Sequence, residues 1–172
     1  MAAALALPAG ADPVSYPQLK EMVVNLSYEP NELAGGDSPV FEVFIATASF
    51  KVPIAFELSG SGRYVWARTT LGKFDSSSER AVKLLKSNAS TQPVMFWITS
   101  ADMLVLGMAI DNRDVTPEHL RFVMERIAKS VDDTAPIWNA TEQRRASFSE
   151  QGLALISDIA DGGVGRPGAQ AV

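Results

Sequence analysis

The sequence predicts an α+β domain: one five-stranded, mostly antiparallel sheet with helices packed against it, in the order α–βββ–α–ββ–α. Three observations carry that prediction. Hydrophobic spacing switches from a period of about 3.6 to a period of about 2 after Pro30 and the Gly35-Gly36 pair. The strand-like stretches run consecutively and are interrupted by a single helix, so the helices segregate instead of alternating with strands. Helix-start signals, Ser76-x-x-Glu79 and Thr116-Pro117, stand where helical spacing returns.

Tyr16, Leu19, Met22, Val23 and Leu26 recur at helical spacing and give an amphipathic first helix over 15–27. Phe41, Val43 and Ile45 then alternate with Glu42 and Ala46. Val52, Ile54, Phe56 and Leu58 alternate with Pro53, Ala55 and Glu57, so each stretch reads as a strand with one apolar side. Pro53 has no N–H to give a ladder, which places the second strand at an edge or on a bulge. Ser59-Gly-Ser-Gly62 turns the chain into a third strand over 63–70, rich in β-branched and aromatic residues. The Ser76/Glu79 pair reads as a capping box for a second helix whose apolar side is Ala81, Val82, Leu84, Leu85 and Ala89. Two strands, 93–99 and 103–110, flank Ser100-Ala-Asp102. The second is apolar on both faces, so it is expected to be central and covered twice, or once by a partner chain. Thr116 caps the longest helix, Pro117 occupies its first position, and Leu120, Val123, Met124, Ile127 and Val131 form its core stripe until Pro136 ends it.

These elements make one domain over 14–138. Residues 1–13 read as a flexible N-terminus or a signal remnant. Residues 139–172 read as a tail, weakly helical within 143–159 and disordered from Gly162 onward, where glycine is frequent and periodicity absent. The Ala-rich start has small residues at Ala9 and Ala11 before Asp12 but no basic stretch, so a cytoplasmic location is expected, with export as the alternative. Sequons occur at Asn25, Asn88 and Asn139, and Arg144-Arg-Ala-Ser147 matches a basophilic kinase site.

Composition narrows the function classes. With no Cys, disulfides, thiolate nucleophiles and Cys-based metal centres are excluded, and the single His119 excludes a multi-His centre. A net charge of −5 argues against nucleic acid and against an anionic membrane surface, because both need clustered Lys and Arg. No apolar run reaches the roughly 18 residues of a spanning helix. Gly60-Ser-Gly62 has Val65 where a dinucleotide fingerprint needs its third glycine, and a strand follows it. Gly72-Lys73 lacks the rest of a P-loop, and neither G-x-S-x-G nor S-x-x-K occurs. Asp111-Asn-Arg-Asp114 starts like a calcium loop but puts Arg113 at a ligand position, so it reads as the capped loop before the last helix, with Asp favoured near a helix N-terminus. No enzyme activity, cofactor or metal is expected.

The order of elements resembles the type III secretion chaperone-like fold, shared by the Tir-chaperone family and the bacterial sensory transduction regulator family. The local resemblance is carried by Leu71-Gly-Lys-Phe-Asp75, by Val82-Lys-Leu-Leu-Lys-Ser-Asn88, by the hairpin around Asp102, by Val115-Thr-Pro-Glu118 and by the Ile137-Trp138 pair. It implies a small, acidic, non-enzymatic homodimer that holds an extended segment of a client protein, through main-chain hydrogen bonds and apolar pockets. Met22, Phe41, Val43, Phe56 and Trp66 are the candidate partner-binding residues. Phe122, which lies off the core stripe of the last helix, is a further anchor. The alternative is a small-molecule or lipid-binding module with an apolar cavity between sheet and helices.

Overall fold

A computed structural model describes residues 12–33 and 38–139. Gln18 Oε1 accepts the Ser15 N–H at 2.8 Å and starts α1 (Tyr16–Asn25). The chain continues through β1 (Asn31–Leu33), β2 (Val40–Ala46), β3 (Lys51–Leu58), β4 (Tyr64–Lys73) and α2 (Glu79–Thr91). It closes with β5 (Met95–Ile98), β6 (Met103–Asp111), α3 (Pro117–Asp133) and α4 (Ala135–Trp138). The order is therefore α–ββββ–α–ββ–α. The strands form one six-stranded sheet in the spatial order β1-β2-β3-β4-β6-β5, and every ladder is antiparallel. The predicted class holds, and the number of strands does not.

The sixth strand is β1. Its three residues, Asn-Glu-Leu, are too few to show a period, and only pairing against Val40–Glu42 makes them a strand. Pro53 is a second correction, because β3 lies inside the sheet between β2 and β4. The β3–β4 ladder stops at the Ala55–Arg68 pair, short of Pro53, so a residue that cannot donate sits where that ladder has ended. The Ser76/Glu79 capping box does not form. Ser78 is the N-cap, and Asp75 Oδ1 instead collects the Ser77 N–H at 2.9 Å and the Ser77 hydroxyl at 2.7 Å. Thr116 caps α3 as expected, its Oγ1 accepting the His119 N–H at 3.1 Å. That helix ends at Thr134, ahead of Pro136, which lies within α4. The expectations for residues 1–11, the Gly35-Gly36 pair, the 143–159 helix, the Gly162 tail and the Arg144–Ser147 site lie outside the described residues.

The core occupies one face of the sheet. Phe41 and Val43 of β2, Ile54 and Phe56 of β3, Val65 and Ala67 of β4, and Leu106 and Ile110 of β6 point to the same side and are buried. Against them pack Leu19 and Val23 of α1 and Leu120, Val123, Met124 and Ile127 of α3. The Phe41 and Phe56 rings stack at 5.3 Å between centroids, and Tyr16 meets Phe41 edge-on at 5.6 Å.

Two polar side chains fix the ends of this packing. Asn112 is buried just after β6. Its Oδ1 accepts the Val14 N–H at 3.1 Å, and its Nδ2 donates to the Val14 carbonyl at 3.0 Å and to the Gly62 carbonyl at 2.8 Å. One amide thus joins the lead-in to α1, the β3–β4 turn and the end of β6. Gly62 suits that turn because its φ of 67° lies in the left-handed region. Arg126 of α3 donates to the carbonyls of Ser90, Thr91 and Gln92 and so caps the C-terminus of α2 with a cation.

Asn112→Ala strands three backbone groups at once. It should lower the unfolding free energy by about 3 kcal/mol in urea denaturation. Thr69 shows the opposite case: its Oγ1 is buried on β4 without a hydrogen-bond partner. Thr69→Val keeps the shape and removes the unsatisfied hydroxyl, so the same measurement should show a gain of about 1 kcal/mol.

Candidate functional site

Strand parity assigns the other face of the sheet. Leu33, Val40, Glu42, Phe44, Pro53, Ala55, Glu57, Trp66, Arg68, Thr70, Met95, Trp97, Met103 and Val105 all point away from the helices. Among the described residues no helix packs on this side. Val105 is buried there and yet stands outside the main core cluster. Its cover comes from neighbours on the same open face, where the Trp66 and Trp97 rings lie 6.2 Å apart at 57°. An antiparallel sheet with one solvated face normally alternates apolar inside with polar outside. This face is mostly apolar. Its central charges are Glu42 and the Arg68–Glu57 ion pair.

A shallow groove of about 540 Å³ crosses the open face, lined by residues from every strand, among them Leu33, Glu42, Ala55, Arg68, Trp97 and Val105. Gly107 lies beside Arg68 in the sheet, and the two strands come so close there that a Cβ would stand 2.8 Å from Arg68 Cα. Only glycine leaves the β4–β6 ladder undisturbed at this point.

The two edges of the sheet differ. At the β5 edge, the Asn88 side chain of α2 behaves like a piece of a neighbouring strand. Its Oδ1 accepts the Phe96 N–H at 2.7 Å and its Nδ2 donates to the Phe96 carbonyl at 3.2 Å. Thr91 Oγ1 donates to the Val94 carbonyl at 3.0 Å. The outward main-chain groups of Phe96 and the Val94 carbonyl are therefore already bonded. At the other edge the β1–β2 ladder ends at Asn31–Glu42, and among the described residues no strand pairs with the outer side of β2 through Phe44–Ala46, whose inner side pairs with β3.

A second apolar groove, of about 310 Å³, runs between α2 and β5 over Ala81, Leu84, Leu85, Phe96, Ile98 and Leu104. Leu85 and Val82 on its α2 side are 69% and 54% exposed.

The structure separates the predicted partner-binding residues. Phe41, Val43 and Phe56 are fully buried on the helix-covered face and offer no surface to a partner. Parity alone could not say which side of each strand the helices would take. Met22 is half-buried on α1, packed against the core. Trp66 lies on the open face, and Phe122 is 52% exposed on α3. No two of Met22, Trp66 and Phe122 share one groove. Sequence reasoning passed over Trp97, Met95 and Val105. Their signal was the two-faced apolar character of 103–110, a strand whose second face the helices leave open.

The Asp111–Asp114 loop leads into α3, whose N-cap is Thr116, and Asp111 bonds Arg113 and no helix amide. Arg113 donates to both Asp111 oxygens at 3.1 Å, and the His119 ring Nδ1 lies 3.2 Å from the Asp114 carbonyl oxygen. Among the described residues no cluster of three or more His, Asp or Glu is placed to hold a metal ion, and no helix is long and apolar enough to cross a membrane. No family model and no curated protein matches the chain.

The side-chain and backbone hydrogen bonds from Arg113 hold the Asp111 carboxyl down at about 2. A depressed carboxylate stabilises the fold above its unfolded pKa, and that contribution is lost as pH falls toward 2. A carbon-detected NMR titration should place the Asp111 midpoint near 2, and Arg113→Ala should move it up toward the usual Asp value of about 3.9. An unchanged midpoint in the variant would remove Arg113 as the cause.

Proposed function

We propose that this protein is a non-enzymatic, chaperone-like or regulatory binding module that holds an extended segment of a partner protein across the open face of its sheet. The observation that carries the reading is the apolar, aromatic character of a sheet face that no helix among the described residues covers. The groove on that face runs across the strands. Five inter-strand steps of about 4.8 Å give roughly 24 Å, which accommodates about seven residues of extended chain. Apolar side chains of the segment would meet Ala55, Trp97 and Val105, while Glu42, Arg68 and Thr70 supply polar partners. With the outward groups of Phe96 at the β5 edge already bonded to Asn88, the β1–β2 edge is the freer place for strand addition. The element order, apart from the three-residue β1, supports the likeness to the type III secretion chaperone-like fold.

A second reading, a homodimer through the same face, is favoured by β6, which is apolar on the uncovered side as well as the covered one. The sheet presents about 650 Å² there by strand spacing and length, near the ~800 Å² per partner of stable complexes.

Partners captured from native lysate by the full chain should bind Trp97→Glu and Leu33→Glu, both of which line the groove, at least about thirtyfold more weakly, as expected for aromatic and apolar anchors. Both variants should melt within a few degrees of the parent. Undiminished binding by both would reject the open face. Light scattering decides the second reading: an unchanging mass of 18.5 kDa across concentrations rejects the dimer.

A further inference from the structure

We infer that α2 is an autoinhibitory cover over the β5 edge of the sheet. It opens as a unit while the strands stay folded, and its opening bares the main-chain groups to which a further strand would bond. This cover acts whether or not the open face binds a partner.

The sheet geometry shows what α2 covers. The Thr99 N–H donates to the Met103 carbonyl at 2.9 Å, so the main chain of Thr99 faces β6. Alternation along an antiparallel strand then turns the main-chain groups of Trp97 and Met95 toward β6, and those of Val94, Phe96 and Ile98 outward. Two of these three outward residues are bonded to α2 side chains. Asn88 accepts the Phe96 N–H at 2.7 Å and donates to the Phe96 carbonyl at 3.2 Å, as a paired strand residue would. Thr91 Oγ1 donates to the Val94 carbonyl at 3.0 Å. A helix thus stands in for a seventh strand, on an edge that would otherwise invite pairing.

The way α2 is held makes it the element that opens. Of its 13 residues only Leu84 and Thr91 are buried, and Leu84 is the one large apolar side chain of the two. In α3, seven of 17 residues are buried. Among the described residues, the hydrogen bonds that join α2 to other elements arise from its C-terminal end. They are the Asn88 and Thr91 bonds to the β5 segment and the Arg126 bonds to the carbonyls of Ser90, Thr91 and Gln92. An element that buries few apolar side chains opens at a lower free energy than the core beneath it. The strand below stays in place, because β5 keeps its own ladder to β6 from Met95 to Ile98.

Arg126 is the latch. It stands on α3 and bonds the end of α2 without a hydrogen bond to β5. Any effect of Arg126 on the Phe96 amide therefore passes through α2.

Native-state hydrogen exchange of the full chain, followed by NMR, reads this opening amide by amide. The Phe96 amide should exchange together with the α2 amides from Leu84 to Ser87, at least about a hundredfold faster than those of Trp97 and Val105, which pair across the β5–β6 ladder. Arg126→Ala removes charged hydrogen bonds from the latch, so it should speed Phe96 and the α2 amides by one common factor of about tenfold or more. Trp97 and Val105 should be unchanged, whereas a general loss of stability would speed every amide. Arg126→Lys keeps the charge without the planar fork and should fall between the two. Leu33→Glu, on the open face, should leave Phe96 exchange as in the parent, which separates a failure here from a failure of the open-face reading. Exchange of Phe96 in step with Trp97 and Val105 would overturn the cover. So would faster α2 amides in Arg126→Ala with Phe96 unmoved, since α2 would then open without baring the edge.

Discussion

One-sided burial is the constraint on which the rest of this structure depends. Six antiparallel strands present two faces, and α1 and α3 cover one of them. The covered face is closed by large rings and branched side chains, with Phe41 stacked on Phe56 at its centre and Met124 and Ile127 of α3 pressed against it. A two-layer arrangement of this kind needs only one apolar side per strand. β6 brings two, and Trp66 and Trp97 add aromatic area where solvated polar residues would ordinarily stand. The surplus apolar surface is therefore a property of the fold's layering, and it is what distinguishes this face from an ordinary solvated one.

Placement of α2 follows a different logic. It buries little of its own: Leu84 and Thr91 are its buried residues. It is held mainly by polar contacts at its C-terminal end, where Arg126 gathers three successive carbonyls and Asn88 bonds Phe96 in both directions. Carbonyls at a helix C-terminus lack partners within the helix and carry partial negative charge, so a guanidinium satisfies both needs together. The outcome is a helix fixed at the edge of the sheet with much of its apolar surface still exposed. That exposure accounts for the groove beside it, and the Asn88 contacts occupy the outward main-chain groups of Phe96 on the neighbouring edge strand.

Polar economy elsewhere is strict. Asn112 bonds two segments that lie 98 and 50 residues away in sequence, and Trp138 Nε1 donates to the Val131 carbonyl at 2.9 Å, tying α4 back to α3. Such buried amides and indoles act at the boundaries between elements, where main-chain groups would otherwise be left without partners. Thr69 is the exception among the described residues.

The sequence by itself determined the class of fold, because hydrophobic period is a local property: Leu19 and Val23 mark a helix, and Val52, Ile54 and Phe56 mark a strand, before any contact is known. It also determined where α3 begins, since Thr116 and Pro117 act on their own helix. Tertiary structure alone decided the remainder. β1 exists only through its pairing with β2, and Pro53 is tolerated inside the sheet only because the β3–β4 ladder stops short of it. Periodicity told Phe41 from Glu42 but not which side the helices would cover, so Phe41, Val43 and Phe56 became core while Trp66 and Trp97 share the open face. Asn88 and Asn112 look like ordinary surface amides in the chain. Their roles appear only when residues distant in sequence supply the backbone groups they bond, because a hydrogen bond across the fold leaves no periodic mark on either partner.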